Sequence, residues 1–343
     1  MKLSSKKILI TGGAGFVGSH LIEGLLKNTN WHIYIIDRID LAGNLERLKD
    51  LETWEKNSRR VNFFWHDLKS EIPKFLLNEI NDINYVWHVA ASSHVDRSIE
   101  DPSLFVMDNV LGTTNLLIGC RKMSSLEKII YLSTDEVFGP AEDGVNYKEW
   151  DRYNSSNPYA ASKAGGEEMS IAFANTYKLP VIVVHVMNIF GERQYSEKFI
   201  PSTIKKIING ETVKIHGDKE KIKPGSRFYI HASSVCDALL FLNKKGNCLD
   251  GSGKNGKYNI VGEREINNLE LAQIISKVIK KPLKYEIVDF HSSRPGHDMR
   301  YSLCGELMKK NGWKQQLGTE KLLKKTIKWY LNNKKWLDID KDD

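Results

Sequence analysis

A chain of 343 residues with 41% hydrophobic and 27% charged side chains can bury a full core, which excludes a disordered segment or a disulfide-stapled miniprotein. Its net charge of +7 arises from 50 basic residues interspersed with 43 acidic ones, a solvated mixture without a nucleic-acid-binding stripe, although it suits a phosphate-bearing ligand. The four cysteines, Cys120, Cys236, Cys248 and Cys304, lack metal-ligand spacing, the opening apolar run 8–10 lacks signal-peptide form, and no run of about 18 apolar residues stands out, so the expectation is a cytoplasmic protein with no metal site and no membrane or nucleic-acid partner.

Strand-length apolar runs at 8–11, 33–37, 61–66, 85–90, 128–133 and 181–187 alternate with helix-length segments. Alternation of this kind predicts parallel βαβ units in a doubly wound α/β (Rossmann) sheet. Val181-Ile182-Val183-Val184 is apolar throughout, as a strand covered on both faces must be. After Gly191 the pattern loosens into longer polar loops at 219–226 and 247–257, with helical patterns at 268–279 and 320–332. The expected division is therefore a dinucleotide-binding domain over 1–190 and a smaller C-terminal α+β substrate lobe over 191–343, the two interleaved.

The first strand runs into Thr11-Gly12-Gly13-Ala14-Gly15-Phe16-Val17-Gly18 and then a helical pattern at 19–28. Glycines there let the backbone turn sharply and approach a pyrophosphate at a helix N-terminus. Asp37 closes the second strand about 20 residues on, where a carboxylate accepts ribose hydroxyls and repels a 2′-phosphate, so NAD is expected over NADP. Arg38 beside it could stack on adenine or meet a 2′-phosphate. Asp67, followed by Leu68, ends the third strand within reach of the adenine amino group. Ala90 and Ala91 end the fourth, small enough to let a cofactor cross the sheet edge. The expected cofactor set is Gly12, Gly15, Phe16, Val17, Gly18, Asp37, Arg38, Asp67, Leu68, Ala90 and Ala91, with Tyr159 and Lys163 from the catalytic segment.

Two later segments carry acid–base chemistry. Ser133-Thr134-Asp135-Glu136-Val137-Phe138-Gly139 follows an apolar strand and sets adjacent carboxylates beside a hydroxyl. Tyr159 and Lys163 stand four residues apart on a predicted helix and so share a face. An ammonium near the phenol would lower a pKa that starts at about 10 and make Tyr159 a base for a sugar hydroxyl, while Lys163 also holds the nicotinamide ribose.

With these motifs in place the chain resembles the extended short-chain dehydrogenase/reductases, and within them the nucleotide-sugar 4,6-dehydratases, most closely the dTDP-glucose 4,6-dehydratases. Further matching segments are Ala42-Gly43-Asn44-Leu45, Ser93-His94-Val95-Asp96-Arg97-Ser98, Glu197-Lys198-Phe199-Ile200-Pro201, Tyr258-Asn259-Ile260-Val261-Gly262 and Arg294-Pro295-Gly296-His297-Asp298. The resemblance implies that Tyr159 deprotonates the 4-hydroxyl, Thr134 hydrogen-bonds oxygen 4, Glu136 takes the carbon 5 proton and Asp135 protonates the departing 6-hydroxyl. An NDP-hexose then becomes a 4-keto-6-deoxyhexose plus water, with hydride passing to NAD and back.

By the same resemblance Ser93, His94, Thr134, Asn188, Lys198, Phe199, Arg227, Asn259, Arg294 and His297 bind the nucleotide sugar, and apolar faces in 104–120 and 167–177 pair two subunits into a homodimer. Epimerases and decarboxylases of this superfamily use a tyrosine and lysine without the Asp-Glu pair, and a non-catalytic NAD sensor has no use for either set. Three departures from the pattern, Ser92 in place of a glutamate, the segment 188–195 and a longer loop at 218–226, leave the base (dTDP, UDP, CDP or GDP) and the hexose open.

Overall fold

The computed structural model describes residues 5–40, 42–289 and 299–338. Its main sheet contains β1 (Lys7–Thr11), β2 (His32–Asp37), β3 (Val61–Trp65), β4 (Tyr85–His88), β5 (Lys128–Thr134), β6 (Val181–Val186) and β10 (Lys257–Ile260). The strands lie in the order β10-β6-β5-β4-β1-β2-β3, and each neighbouring pair runs parallel. The chain runs outward from β1 to β3 and then crosses back to β4. Between β1 and β4 lies the switch in winding where open α/β sheets bind ligands.

Alternation along the strands builds the two covering layers. Ile8 and Ile10 of β1 point to one face, where they pack with Ile22 and Leu25 of helix Phe16–Asn28 and Leu239 of helix Ala232–Lys245. Leu9 points to the other and joins Val86, Leu116, Ile129 and Val183. Every residue of β6 is buried, as the apolar run Val181–Val184 requires, and His185 is buried with them.

The sequence expectations differ from the structure at strand ends for local reasons. β4 stops at His88 because the amides of Val89 and Ala90 turn to the Thr11 hydroxyl at 3.1 and 3.2 Å. The first helix begins at Phe16, inside the glycine segment, so its free N–H groups face that loop.

Helix Pro102–Cys120 has its N-terminus capped by Asp101 and contains a π-turn at Met107–Leu111. Among the described residues it is the one helix long and apolar enough to cross a membrane, yet half of its apolar window is buried and it packs on helix Pro158–Tyr177. That second helix starts sharply because the Asn157 side chain caps the Ala160 amide at 2.8 Å and Pro158 occupies the first turn; it ends at Lys178 with φ 58°.

A smaller lobe combines a parallel pair, β8 (Thr212–Gly217) with β12 (Lys284–Asp289), and a three-stranded sheet of β7 (Asn188–Phe190), β9 (Ser226–His231) and β11 (Glu265–Asn267). Its core joins Ile204, Ile215, Leu271, Ile275, Leu323 and Tyr330. Residues 232–260 leave this lobe, pack a helix against Phe16–Asn28 and supply β10 to the main sheet.

Candidate active site

The ends of β1, β2, β4 and β5 converge on one sheet edge. Gly12 takes φ +73°, and a Cβ on it would lie 2.8 Å from the Ala90 backbone. A Cβ on Gly18 would lie 2.1 Å from the Gly12 carbonyl, so the loop closes on itself only with glycine there. Gly15, Phe16 and Val17 are half-buried along its rim. Asp37 sits under the loop: its carboxylate accepts N–H bonds from Ala14 and Ile39, each 2.8 Å, and burial pushes its pKa above the usual value.

Arg38 is fully engaged by carboxylates, bidentate to Asp108 at 2.5 and 2.7 Å and bonded to Asp40 at 2.6 and 2.8 Å. Asp67 is 3.6 Å from Arg38 and 3.4 Å from Lys69. Leu68 is buried, its carbonyl accepting from Asn115 at 2.7 Å; Ala90 is half-buried and Ala91 exposed. His88, unmarked in the sequence, bridges the hydroxyls of Thr11 and Thr113 at 2.7 and 2.9 Å, and burial lowers its pKa to about 3.

β5 delivers Thr134, and the turn Asp135–Phe138 places the two carboxylates immediately after it. The Thr134 hydroxyl lies 3.1 Å from Asp135 Oδ1. Asp135 Oδ2 is buried without a hydrogen-bond partner, and the residue is 5% exposed. Burial, followed by the charge of Glu136, raises the Asp135 pKa to about 7. Glu136 Oε2 accepts from Asn157 Nδ2 at 3.1 Å, so the residue that caps the catalytic helix also orients this carboxylate.

Tyr159 is buried and hydrogen-bonded with Thr134, and burial together with the Glu136 charge holds its pKa well above 10. Lys163 does not counter this in the way its spacing predicts. Its ammonium donates to the Leu132 carbonyl at 2.7 Å and lies 4.3 Å over the Tyr131 ring, and burial lowers its pKa to about 7. The four-residue spacing sets the two on one helix face, but a buried ammonium takes the nearest carbonyl.

The remaining expected residues fall in three groups. Arg227 stacks 4.7 Å over Tyr301, donates to the carbonyls of Ser226 and Met299 at 2.7 Å each, and lies close enough to draw the Asp135 pKa down. Ser93 is exposed; His94 Nε2 is 3.3 Å from Glu197; Lys198 immediately precedes helix Phe199–Asn209 without a side-chain capping bond, with Phe199 against the small-lobe core; Asn188 is half-buried on β7. Asn259 is placed elsewhere. It is 0% exposed, bonded to His185 at 2.9 Å and to the carbonyls of Tyr147 and Cys304 at 3.0 and 3.2 Å, and it braces the site from behind. Arg294 and His297 lie outside the described residues.

That brace belongs to a buried network the sequence does not announce. Glu167, on the catalytic helix, meets Lys257 of β10 at 2.9 Å and His185 of β6 at 3.1 Å, while Tyr153 also donates to it. Burial alone would raise the Glu167 pKa, but His185 and Lys257 bring it below the ordinary carboxylate value. Lys257→Met takes the ammonium from that buried carboxylate, leaving only His185 and the Tyr153 hydroxyl to hold it, and is expected to destabilise the fold by about 3–5 kcal/mol, measured by urea denaturation. A loss under about 1 kcal/mol would mean that the network is not structural. Among the described residues no group of three His, Cys, Asp or Glu could hold a metal.

A glycine loop over a parallel sheet edge, with a buried tyrosine and lysine on the adjacent helix, serves hydride transfer at a carbinol carbon, and it defines the class as an extended short-chain dehydrogenase/reductase. Within that class, residues 9–326 match the GDP-mannose 4,6 dehydratase family, and the chain belongs to this family. It is 34% identical to the dTDP-glucose 4,6-dehydratase of Salmonella typhimurium, the match covering 97% of this chain and 94% of that one. A trifunctional UDP-glucose 4,6-dehydratase/3,5-epimerase/reductase of Arabidopsis thaliana is 33% identical over 96% of this chain and 48% of its own length. In three dimensions the chain is similar to DesIV, a dTDP-glucose 4,6-dehydratase of Streptomyces venezuelae solved with NAD bound, with 30% identity, a TM-score of 0.83, and 97% and 99% of the two chains covered.

Proposed function

We propose that the protein is a nucleotide-diphosphate-hexose 4,6-dehydratase, a hydro-lyase that uses NAD internally and returns it unchanged. One observation carries the reading: a buried, unpartnered Asp135 oxygen with a pKa raised to about 7, next to Glu136 and Tyr159. An epimerase needs neither carboxylate. The glycine loop, which a Cβ would fill, and Asp37 beneath it fit a dinucleotide.

Bound NAD supplies the acceptor for hydride from carbon 4 and its donor back to carbon 6. This chain's residues manage the protons. Tyr159 would take the 4-hydroxyl proton as its phenolate, a form that the positive charge of bound NAD would have to favour because burial and the Glu136 charge hold the phenol protonated here, while the Thr134 hydroxyl steadies oxygen 4. The ketone so formed acidifies the carbon 5 hydrogen, which Glu136 removes as Asp135 protonates the departing 6-hydroxyl, and the Glu136 carboxyl then returns a proton to carbon 5 as carbon 6 regains hydride. Lys163 would hold the nicotinamide ribose, and Arg227, Lys198 and His94 line the approach to the diphosphate. The cofactor is assigned to residues 1–190 together with 232–260, and the sugar nucleotide to the rest of 191–343.

The test is incubation of purified protein with dTDP-, UDP-, CDP- and GDP-hexoses, with product masses recorded. Loss of one water from one donor is expected; isomerisation without mass change would replace the reading with an epimerase. Turnover should also depend on pH in a definite direction. Asp135 acts as an acid only when protonated, so with its pKa near 7 the elimination step slows as pH rises above about 7, while the preceding oxidation, which needs the Tyr159 phenolate, slows as pH falls. An elimination rate independent of pH across that range, read from the lifetime of the reduced nicotinamide, would exclude Asp135 as the acid.

The assembly proposed is a homodimer in the cytoplasm. Leu104, Val106, Met107 and Leu111 on helix Pro102–Cys120 and Tyr177 on the catalytic helix are exposed, and they form the apolar faces expected to meet a second copy. Four free cysteines suit a reducing compartment. Light scattering should give twice the chain mass, falling to one chain in Val106→Lys.

A further inference from the structure

Arg38 follows the acidic strand end, the position from which an arginine can receive the 2′-phosphate of a phosphorylated dinucleotide. Here four of its five N–H donors are already taken. Nη1 and Nη2 meet the two Asp108 oxygens at 2.5 and 2.7 Å, and Nε and Nη2 meet Asp40 Oδ2 at 2.8 and 2.6 Å. Asp108 is 4% exposed and its Oδ2 also accepts from the Ser92 hydroxyl at 2.5 Å. A third carboxylate, Asp67, stands 3.6 Å from Nη1.

The clamp joins three separate segments. Arg38 and Asp40 follow β2, Ser92 lies in the loop after β4, and Asp108 comes from the π-turn of helix Pro102–Cys120. The next residue of that turn, Asn109, fixes Ser92 through both backbone groups at 2.9 and 3.0 Å, so Asp108 is held in place and does not have to be recruited. One guanidinium among three carboxylates leaves the site with net negative charge, and Asp37 adds to it.

We infer that the Asp108–Arg38–Asp40 clamp, steadied by Ser92, is a cofactor-specificity determinant that selects the unphosphorylated dinucleotide, NAD, against NADP. A 2′-phosphate carries a charge of about −1.5 to −2. On arrival it would find an arginine with four of its five N–H donors taken, the fifth turned to Asp67, and carboxylates facing it, so it would lose hydration with little gained in exchange. The inference rests on the reading that the glycine loop binds a dinucleotide.

The test is titration calorimetry of the full-length protein with NAD and with NADP, for wild type, Asp40→Asn, and the Asp40→Asn/Asp108→Asn pair, with thermal unfolding followed in parallel. Removing both carboxylates frees Arg38, and the NAD-to-NADP affinity ratio is expected to fall by about ten-fold or more, chiefly through tighter NADP binding. Asp40 is 42% exposed, so its single variant keeps the fold and should shift the ratio the same way by about three-fold. An unchanged ratio in Asp40→Asn, or in a folded double variant, would overturn the clamp while leaving the dinucleotide site standing. Wild-type protein that binds neither dinucleotide would overturn both.

Discussion

Glu136→Gln is expected to lower dehydration by about 10²- to 10⁴-fold while sparing the first half of the reaction. The amide keeps the size of the side chain, and its oxygen can still accept from Asn157. It cannot take a proton from carbon 5. Reduced nicotinamide should therefore accumulate, seen as near-ultraviolet absorbance, and exchange of the carbon 5 hydrogen with deuterated solvent should stop. Normal turnover in this variant would remove Glu136 as the base. Charge adds a second effect: Glu136 raises the Tyr159 pKa, so its neutral replacement should let sugar oxidation proceed at lower pH than in wild type.

Tyr159→Phe is expected to give a loss of similar size, about 10²- to 10⁴-fold, but with no reduced nicotinamide at any time, because the step removed comes first. Rapid-mixing absorbance separates the two variants. Accumulation of reduced cofactor in Tyr159→Phe would show that another group deprotonates the 4-hydroxyl. Thr134 is the group touching the phenol, so a residual rate would be traced there.

Local patterns carried most of the doubly wound sheet. The strands β1 to β6 were readable because each is a short apolar run between polar segments, and the glycine loop, Asp37, the Asp-Glu pair and the Tyr159 helix are contiguous motifs. What escaped was non-local. β10 pairs with β6 across roughly 75 residues of chain, and nothing in Lys257-Tyr258-Asn259-Ile260 announces which sheet it joins. Asn259 lies in a segment that matches the family pattern, but that pattern does not show its neighbours in space, His185 and Cys304, which tie its side chain into the interior. Lys163 shares a face with Tyr159, as helical spacing requires, yet the Leu132 carbonyl lies on β5, and spacing along one helix cannot show it. The Arg38 clamp depends on a residue 70 positions away.

The π-turn at Met107–Leu111 has a genetic corollary. Its wider winding accommodates one residue more than a regular α-helix would over the same rise. Deleting one codon within 107–111 would return the helix to regular winding with its flanks in register, whereas inserting one more would exceed what the turn absorbs and rotate its N-terminal part by about 100° relative to its C-terminal part. Leu104 and Val106 would then swing off the outer stripe they form with Leu111, or else Asp108 would lose Arg38. Many single substitutions along this segment alter one contact; a one-residue insertion would set two surfaces against each other, so the segment should be harder to lengthen than to change in composition.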